Sequence, residues 1–347
     1  MSTATRDAYL VGTIPLDHIY QVFNTVSELL GENIRRVPDG ELGDRKMWVS
    51  SQYPVLGASP ALEVGEFPSG GVARSTSYEV PLRLRANADP SKIAFGDLNF
   101  ARWAITSYGV LRALKDAGKV PRSWRLQVGL PAPQDVMSLL IPESRAPVET
   151  PYECALLAEL ARIQAAIPHG ELAITWDAVR VVLIWEDPEN AYVRPWWRDA
   201  KPGIVERLVR LGNAVAPGVE MGYHLCYGSQ DHSHAINPRD LGACVEIANA
   251  VAQGLNRRID YVHMPVPRDR SDDAYFAPLG KLDRDKSGRV YLGLVHYTDG
   301  VEGARRRIAA AERFLPDFGI ATECGFGRRP GHQDVRRLIQ LHAQILQ

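Results

Sequence analysis

The chain has 347 residues, of which 45% are hydrophobic and 23% charged, and its formal net charge is −1. This balance is typical of a globular protein with a large apolar core, and it argues against a general affinity for nucleic acid or anionic membranes. The stretch 1–8 lacks the apolar run of a secretion signal, and no segment reaches the roughly 18 apolar residues of a membrane helix. We therefore expect a cytoplasmic protein without nucleic-acid or membrane partners.

Strand and helix patterns alternate along the chain, which predicts a parallel sheet. Strands are predicted at 9–14, 33–37, 125–129, 172–175, 220–225, 259–263, 289–295 and 319–322. Helices are predicted at 17–30, 100–117, 151–167, 202–214, 238–252, 301–313 and 331–346. Eight parallel strands with helices between them close most simply into an α/β fold, the (β/α)8 TIM barrel.

We predict one barrel domain over residues 1–347, with an irregular insertion after the second strand at about 50–100, where Gly, Pro and Ser are frequent. Short strands at 77–80 and 93–95 are expected within this insertion. The arginines at 305–307 and 336–337 fall in helical patterns, and we expect them on solvated helix faces.

In such barrels the chemistry lies at the C-terminal ends of the strands. Polar residues collect at the predicted strand ends of this chain, and these are Asp39, Glu41, Asp177, His224, Cys226, His263, His296, Glu323 and Cys324. The sequence therefore predicts an active site at this end of the barrel.

Two cysteines and a histidine among these residues indicate a metal site. His224 and Cys226 are two residues apart, so on an extended strand both side chains point to one face. Together with Cys324 from the last strand they offer an imidazole and two thiolates, a set that suits Zn²⁺. Cys154 and Cys244 lie in helical patterns instead, and we expect both to be small buried hydrophobic residues.

A fourth ligand is less well defined by the sequence. His263 ends the sixth strand and could face the same opening, or it could form hydrogen bonds within the barrel mouth. The loop Asp231-His232-Ser233-His234 has His-x-His spacing, but histidines on loops usually do not bind metal. His263 is therefore the candidate fourth ligand.

The remaining strand-end residues are candidates for catalysis and substrate binding. Asp177, Glu41 and His296 could act as acids or bases. Asp39 and Trp176 are candidate substrate-binding residues, and Glu323 could bind substrate or orient a metal ligand. Each has a structural alternative, such as a helix cap or a hydrogen bond in the mouth, and Trp176 could equally pack in the core with Trp185, Trp196 and Trp197.

An ordered set of motifs resembles the cobalamin-independent methionine synthase family, in particular its short, single-barrel members. These motifs are Gly12-Thr13-Ile14-Pro15, Asp39-Gly40-Glu41 followed by Arg45, Met47 and Trp48, His224-Leu225-Cys226, Phe276-Ala277-Pro278-Leu279, and Glu323-Cys324-Gly325-Phe326. The resemblance implies a zinc-dependent barrel that transfers a methyl group, commonly from a folate, to a thiol. It also implies that His224, Cys226 and Cys324 are zinc ligands.

The chain departs from the family pattern at two strand ends. The family has a Glu ligand after strand six, whereas this chain has Tyr261-Val262-His263-Met264-Pro265, and His263 could replace it. After strand four the family has Asp-Glu-Pro, and here only the Asp of Asp177-Ala178-Val179 is retained. These departures separate the chain from methionine synthesis itself.

Three hypotheses follow for the function. The first is a zinc-dependent alkyl transferase, in which a small-molecule thiol takes an alkyl group, most simply methyl, from a donor such as a methylated folate or a methoxylated aromatic compound. The second is a metal-independent lyase or decarboxylase of the uroporphyrinogen decarboxylase type, and the third is a metal sensor or storage protein. A homo-oligomer is compatible with all three.

Overall fold

The computed structural model of the protein describes residues 6–66, 80–189, 194–230, 233–327 and 332–347. Its strands, in chain order, are β1 (Ala8–Tyr9), β2 (Arg36–Pro38), β3 (Leu62–Val64), β4 (Leu82–Leu84), β5 (Arg125–Pro131), β6 (Leu172–Ala178), β7 (Glu220–Leu225), β8 (Ser229–Gln230), β9 (Ser233–His234), β10 (Tyr261–Pro265), β11 (Arg289–Gly293) and β12 (Gly319–Ala321).

Eight of these strands form one parallel sheet in the order β1-β12-β11-β10-β7-β6-β5-β2. A parallel bridge between Ala8 and Ile34 brings the first strand beside the residues that lead into β2. The sheet therefore closes on itself into a (β/α)8 barrel, as the sequence predicted.

The helices between the strands cover the outside of the barrel. They are α1 (Ile19–Leu29), α2 (Tyr53–Gly57), α3 (Phe100–Asp116), α4 (Pro133–Val136), α5 (Pro142–Ala166), α6 (Val179–Glu186), α7 (Ala200–Asn213), α8 (Gly242–Gly254), α9 (Asp273–Phe276), α10 (Arg284–Ser287), α11 (Gly300–Ala311) and α12 (His332–Leu346). Amphipathic helices such as α1 bury one face against the sheet, through Val22, Phe23 and Val26.

Side chains that point into the barrel form a small core of their own, separate from the large core between sheet and helices. Its apolar members are Tyr9, Val11, Ala173, Tyr261, Tyr291 and Ala321. Arg36 fills the same space: it donates to Glu220 and Tyr291, and its guanidinium lies 4.2 Å from the ring centre of Tyr261. A buried cation is tolerated here because it is both paired and stacked.

Several helices differ from the prediction: the short helices α2, α4, α9 and α10 were not predicted, α8 begins at Gly242 rather than at 238, and α5 and α6 differ most. Helix α5 begins at Pro142 and continues through Pro147 and Pro151, whereas the sequence predicted a start at residue 151. A proline costs a helix one backbone hydrogen bond, but buried residues such as Val148 and Tyr152 tie this segment to the core and offset the loss. Helix α6 was not predicted, because its eight residues follow β6 without a turn signal.

The insertion after β2 carries more regular structure than expected. It holds a 3-10 segment (Gly43–Gln52), α2 and the antiparallel hairpin of β3 and β4. The strand predicted at 93–95 is wrong, because these residues take no strand pairing. Of the strand predicted at 77–80, residues 77–79 lie outside the described residues and Val80 lies in a bend.

Several expectations about burial can be compared with the structure. Cys244 is buried as expected, but Cys154 is exposed, because it lies on the outer face of α5. Arg307 is not on a solvated face: it is 1% exposed and donates to Asp299 and to the Leu294 carbonyl. Among the described residues, none of the helices has the length and apolar character needed to cross a bilayer.

Candidate metal centre and active site

Three of the four predicted metal ligands meet at the C-terminal mouth of the barrel. His224 lies near the end of β7, Cys226 follows that strand, and Cys324 follows β12. One imidazole nitrogen and the two sulfurs lie within 4.8 Å of one another. His224 and Cys226 are buried and Cys324 is partly exposed. The donor set fits a small thiophilic cation with one side open to the mouth.

His263 lies beside this group but is turned to other partners. It is the register partner of His224 on the neighbouring strand β10, and its Nδ1 lies 2.7 Å from His224 Nδ1. Its Nε2 lies 2.9 Å from the Thr322 carbonyl oxygen. Burial lowers the pKa of His263 well below its usual value, with the His224 charge acting in the same direction, so the ring is neutral. Both its nitrogens are occupied by protein groups.

The two thiols of the group influence each other. The Cys226 thiol donates a hydrogen bond to the Cys324 sulfur, and this bond, opposed by burial and aided by His224, lowers the pKa of Cys324 well below its usual value. The same bond and burial raise the pKa of Cys226. The pair therefore loses its first proton readily, which prepares a thiolate for a cation.

Glu41 also belongs to the mouth, where the loop that carries Thr13 holds it. The Thr13 hydroxyl donates to Glu41 Oε2 over 2.5 Å, and the Thr13 carbonyl accepts from the Phe326 amide over 2.8 Å, next to the Cys324 loop. Burial raises the pKa of Glu41 to about 7, and the hydrogen bond from Thr13 opposes the rise. Glu41 is therefore poised to change charge near neutral pH.

Asp177, at the end of β6, is the second buried carboxyl of the mouth. Its Oδ2 accepts from Trp48 Nε1 over 3.2 Å, whereas its Oδ1 is buried without a hydrogen-bond partner among the described residues. Burial raises the pKa of Asp177 well above its usual value, with the charges of Glu41 and Cys324 adding to the effect. An orphaned buried oxygen of this kind indicates a ligand that donates a hydrogen bond.

The turn that presents Glu41 is strained, and Asp39 stabilises it. Gly40 has φ 88° and Glu41 has φ 48°, a left-handed pair that costs energy at the non-glycine position. The Asp39 carboxylate accepts the Glu41 amide, and also accepts from Arg45 and from the Ser107 hydroxyl. Asp39, predicted to bind substrate, thus has its oxygens engaged in holding the turn.

A cavity opens beside the two carboxyls. It is lined by Glu41 and Asp177 together with Arg45, Trp48 and Trp103. The guanidinium of Arg45 lies 5.0 Å from the Trp103 ring centre. Trp103 was not predicted, because a tryptophan in a regular helix pattern gives no signal that it faces a cavity.

The remaining predicted residues divide between the mouth and the core. His296 Nε2 lies 2.9 Å from the Val266 carbonyl, and burial lowers its pKa. Glu323 Oε2 lies 2.7 Å from Nε2 of His234, a histidine of the loop that was not expected to bind metal. Trp176 occupies the next position to Asp177 on β6 and belongs to the core between sheet and helices, so it is not part of the mouth.

Fold and site together define a (β/α)8 barrel with a His/Cys2 group and two buried carboxyls at its mouth. No protein-family profile and no curated protein sequence matches the chain. Its fold is similar to that of a B12-independent methionine synthase from Shewanella sp. W3-18-1, solved in complex with selenomethionine. The two chains are 14% identical, the alignment covers 99% of this chain and 97% of that chain, and the TM-score is 0.57. A methyltransferase from Methanosarcina mazei aligns at 12% identity over 99% of this chain and 94% of its own, with a TM-score of 0.49. The first of these two structures matches, at the level of the fold, the resemblance carried by the sequence motifs.

Proposed function

We propose that this protein is a zinc-dependent alkyl transferase that moves a methyl or similar small group onto a thiol. The observation that carries the proposal is the convergence of His224, Cys226 and Cys324 within 4.8 Å, at the end of the barrel where such folds carry their chemistry. A metal site that only stabilises the fold or stores an ion has no need of two carboxyls with raised pKa values beside the cation site.

The ligand set favours zinc and an open coordination position. One imidazole and two thiolates suit Zn²⁺, and three protein ligands leave a place for a substrate atom. When bound, zinc would hold the substrate sulfur as a thiolate and so provide a nucleophile near neutral pH. Because free thiol ligands need a reducing environment, we infer that the reaction occurs in the cytoplasm.

Glu41 and Asp177 suit a substrate thiol that carries an ammonium group. Asp177 is buried and Glu41 is partly buried, and burial raises the pKa of each carboxyl. An ammonium would donate to the orphaned Asp177 Oδ1 and balance the charge of Glu41. A small amino thiol is therefore the acceptor that this half of the mouth fits best.

The transfer itself needs few groups. The thiol sulfur forms a bond to the alkyl carbon, and the bond from that carbon to the donor atom breaks, with its electron pair leaving on the donor atom. That atom takes a proton, and Asp177, whose pKa burial raises well above its usual value, lies in the same cavity to provide it. The proton lost by the thiol returns the carboxyl to its starting state.

The metal-independent decarboxylase alternative needs a free arginine to bind acidic side groups. Arg45 is the arginine that lines the described cavity, and its guanidinium already donates to Asp39. We therefore favour the transferase.

Metal analysis of the protein, purified without added zinc, tests the proposal. We expect about one zinc per chain, and its loss in the Cys226→Ser and Cys324→Ser variants. Cys154→Ser is the matched control, because Cys154 is exposed on α5 and should leave the zinc content unchanged. Full zinc occupancy in both site variants would contradict the proposal.

The acceptor can be identified with the cobalt-substituted protein. A thiol that binds the metal should add a sulfur-to-cobalt charge-transfer band, and homocysteine should do so at lower concentration than 4-mercaptobutanoate, which lacks the amine. In Asp177→Asn this preference should shrink by about tenfold or more, since the amide oxygen is taken by Trp48 Nε1 and the amide NH2 group then faces the ammonium. An unchanged preference would refute the assigned role of Asp177.

A further inference from the structure

His263 occupies an unusual position under the metal group. It is fully buried, it is in register with His224 on the adjacent strand, and its ring lies 5.6 Å from the ring of Tyr9 at an interplanar angle of 29°. A ring packed this way has little freedom to rotate. Its two nitrogens are therefore held against His224 and against the Thr322 carbonyl.

A metal-bound His224 fixes the protons of this chain of contacts. A carbonyl oxygen only accepts, so at 2.9 Å from Thr322 the His263 Nε2 must carry the proton. His224 Nδ1 lies 2.7 Å from His263 Nδ1, so Nε2 is the His224 nitrogen left for a metal. An imidazole that binds a metal through Nε2 keeps its proton on Nδ1, so His224 Nδ1 donates to His263 Nδ1.

We propose that His263 is a positioning residue, which fixes His224 in its Nδ1–H form and aims the His224 Nε2 lone pair at the metal, and that His263 is not itself a ligand. The inference rests on the metal site of the proposed function. It also ties the two halves of that site together, because Thr322 lies two residues before Cys324, directly after β12. A single buried ring thereby sets both the tautomer of His224 and its distance from the Cys324 segment.

This arrangement differs from the usual support of a metal-bound histidine, in which a carboxylate or a backbone carbonyl accepts the second ring proton. Here another imidazole accepts it, and the carbonyl is one ring further away. Neither an imidazole nor a carbonyl group is an anion, so this support adds no negative charge under the metal group. The open position is thus kept for the substrate sulfur rather than for a fourth protein ligand.

Nitrogen NMR of histidine-labelled protein tests the proton order directly. We expect long-range ¹H–¹⁵N spectra of the zinc-loaded protein to place the His263 proton on Nε2 and the His224 proton on Nδ1. On zinc loading, the large ¹⁵N shift should fall on His224 Nε2. A zinc-dependent shift of that size on a His263 nitrogen, or a proton on His263 Nδ1 in the zinc-loaded protein, would overturn the inference.

Two variants test the positioning role by zinc affinity, measured against a competing chelator. In His263→Asn, the amide oxygen can take the place of Nδ1 and accept the proton of His224 Nδ1. In His263→Gln, the longer side chain places its amide near the Thr322 carbonyl and leaves His224 Nδ1 without an acceptor. We expect about 10- to 100-fold weaker zinc binding in His263→Gln and a smaller loss in His263→Asn. Equal affinities in the two folded variants would refute the inference, and the wild-type spectra decide it if either variant fails to fold.

Failure of this inference can be told apart from failure of the proposed function. Absence of zinc from the wild-type protein would contradict the function. Zinc held through a His263 nitrogen would leave the function standing and overturn only the positioning role of His263.

Discussion

Glu41 and Asp177 approach one glycine from two sides. A Cβ added to Gly129 on β5 would lie 3.0 Å from Glu41 Oε1 and 3.4 Å from Asp177 Oδ2. The absence of a side chain at this position lets two buried carboxyls, which come from different strand ends, share one space. Together they form the carboxyl part of the mouth, close enough to Cys324 for their charges to interact with its thiolate.

Replacement of Gly129 by Ala tests this close approach. The added methyl group displaces the Glu41 carboxyl, and we expect kcat/KM for an amino thiol to fall by about tenfold or more, because small misplacements at a site are costly. Gly109→Ala is the matched control: Gly109 lies inside α3 with open space around it, and the change should add about 0.5–1 kcal/mol of stability without affecting kcat/KM. Equal kinetics for the two variants would contradict the assigned arrangement.

The hydroxyl of Thr13 sets the charge state of Glu41. Its hydrogen bond favours the ionised carboxylate and lowers the pKa of Glu41, which burial raises to about 7. In Thr13→Val the pKa should therefore rise further, and the acid limb of the kcat/KM profile for an amino thiol should move to higher pH. The control is Thr25→Val, in α1 away from the mouth. A profile that stays in place would exclude Glu41 as the titrating group.

Asp135 should make the fold less stable as the pH rises. Its carboxylate is buried at the start of α6, where it accepts from the Val179 and Arg180 amides, and burial raises its pKa to about 7 from a usual value near 3.8. The folded protein thus retains a proton that the unfolded chain has lost, and stability falls as pH rises between these values. From about pH 5 to about pH 8 this loss is about 3 kcal/mol. Asp135→Asn should remove that slope in denaturant unfolding, and an identical slope in both proteins would contradict the buried carboxyl.

Arg307 should matter for stability far more than its neighbour on the same helix. Arg307→Ala leaves Asp299 and buried carbonyls without their donor, and we expect it to cost about 3 kcal/mol of unfolding free energy. Arg305 is 63% exposed and pairs with Glu302 on the surface, so Arg305→Ala should cost less than about 0.5 kcal/mol. Similar thermal shifts in the two variants would be inconsistent with the buried ion pair.

The order of the barrel strands could be predicted from the sequence because each strand is a short apolar run between helix patterns. The meeting of His224, Cys226 and Cys324 followed from the barrel, since parallel strands deliver their C-terminal ends to one rim. The orientation of His263 could not be predicted. A histidine at position 263 has the same strand parity whether it binds the metal or supports His224. Only the packing of the Tyr9 ring and the position of the Thr322 carbonyl distinguish the two roles.

Sequence patterns also missed features that depend on tertiary contacts. Arg307 has the same helical surroundings in sequence as Arg305, and only its tertiary partners, Asp299 and the Leu294 carbonyl among them, make it a buried residue. The same limit applies to Trp103 at the cavity and to His234 against Glu323. Each residue belongs to a helix or loop whose own pattern is ordinary.

The order of the proposed ligands along the chain has a consequence for biosynthesis. All three of the last barrel strands lie between Cys226 and Cys324, and the carbonyl that anchors His263 directly follows β12. A ribosome-bound chain that has not yet delivered β12 offers an incoming ion only two of the three proposed ligands and an unanchored imidazole. Under the proposed function, tight metal capture therefore requires the completed barrel, and a partly synthesised chain offers no tight site to a wrong ion.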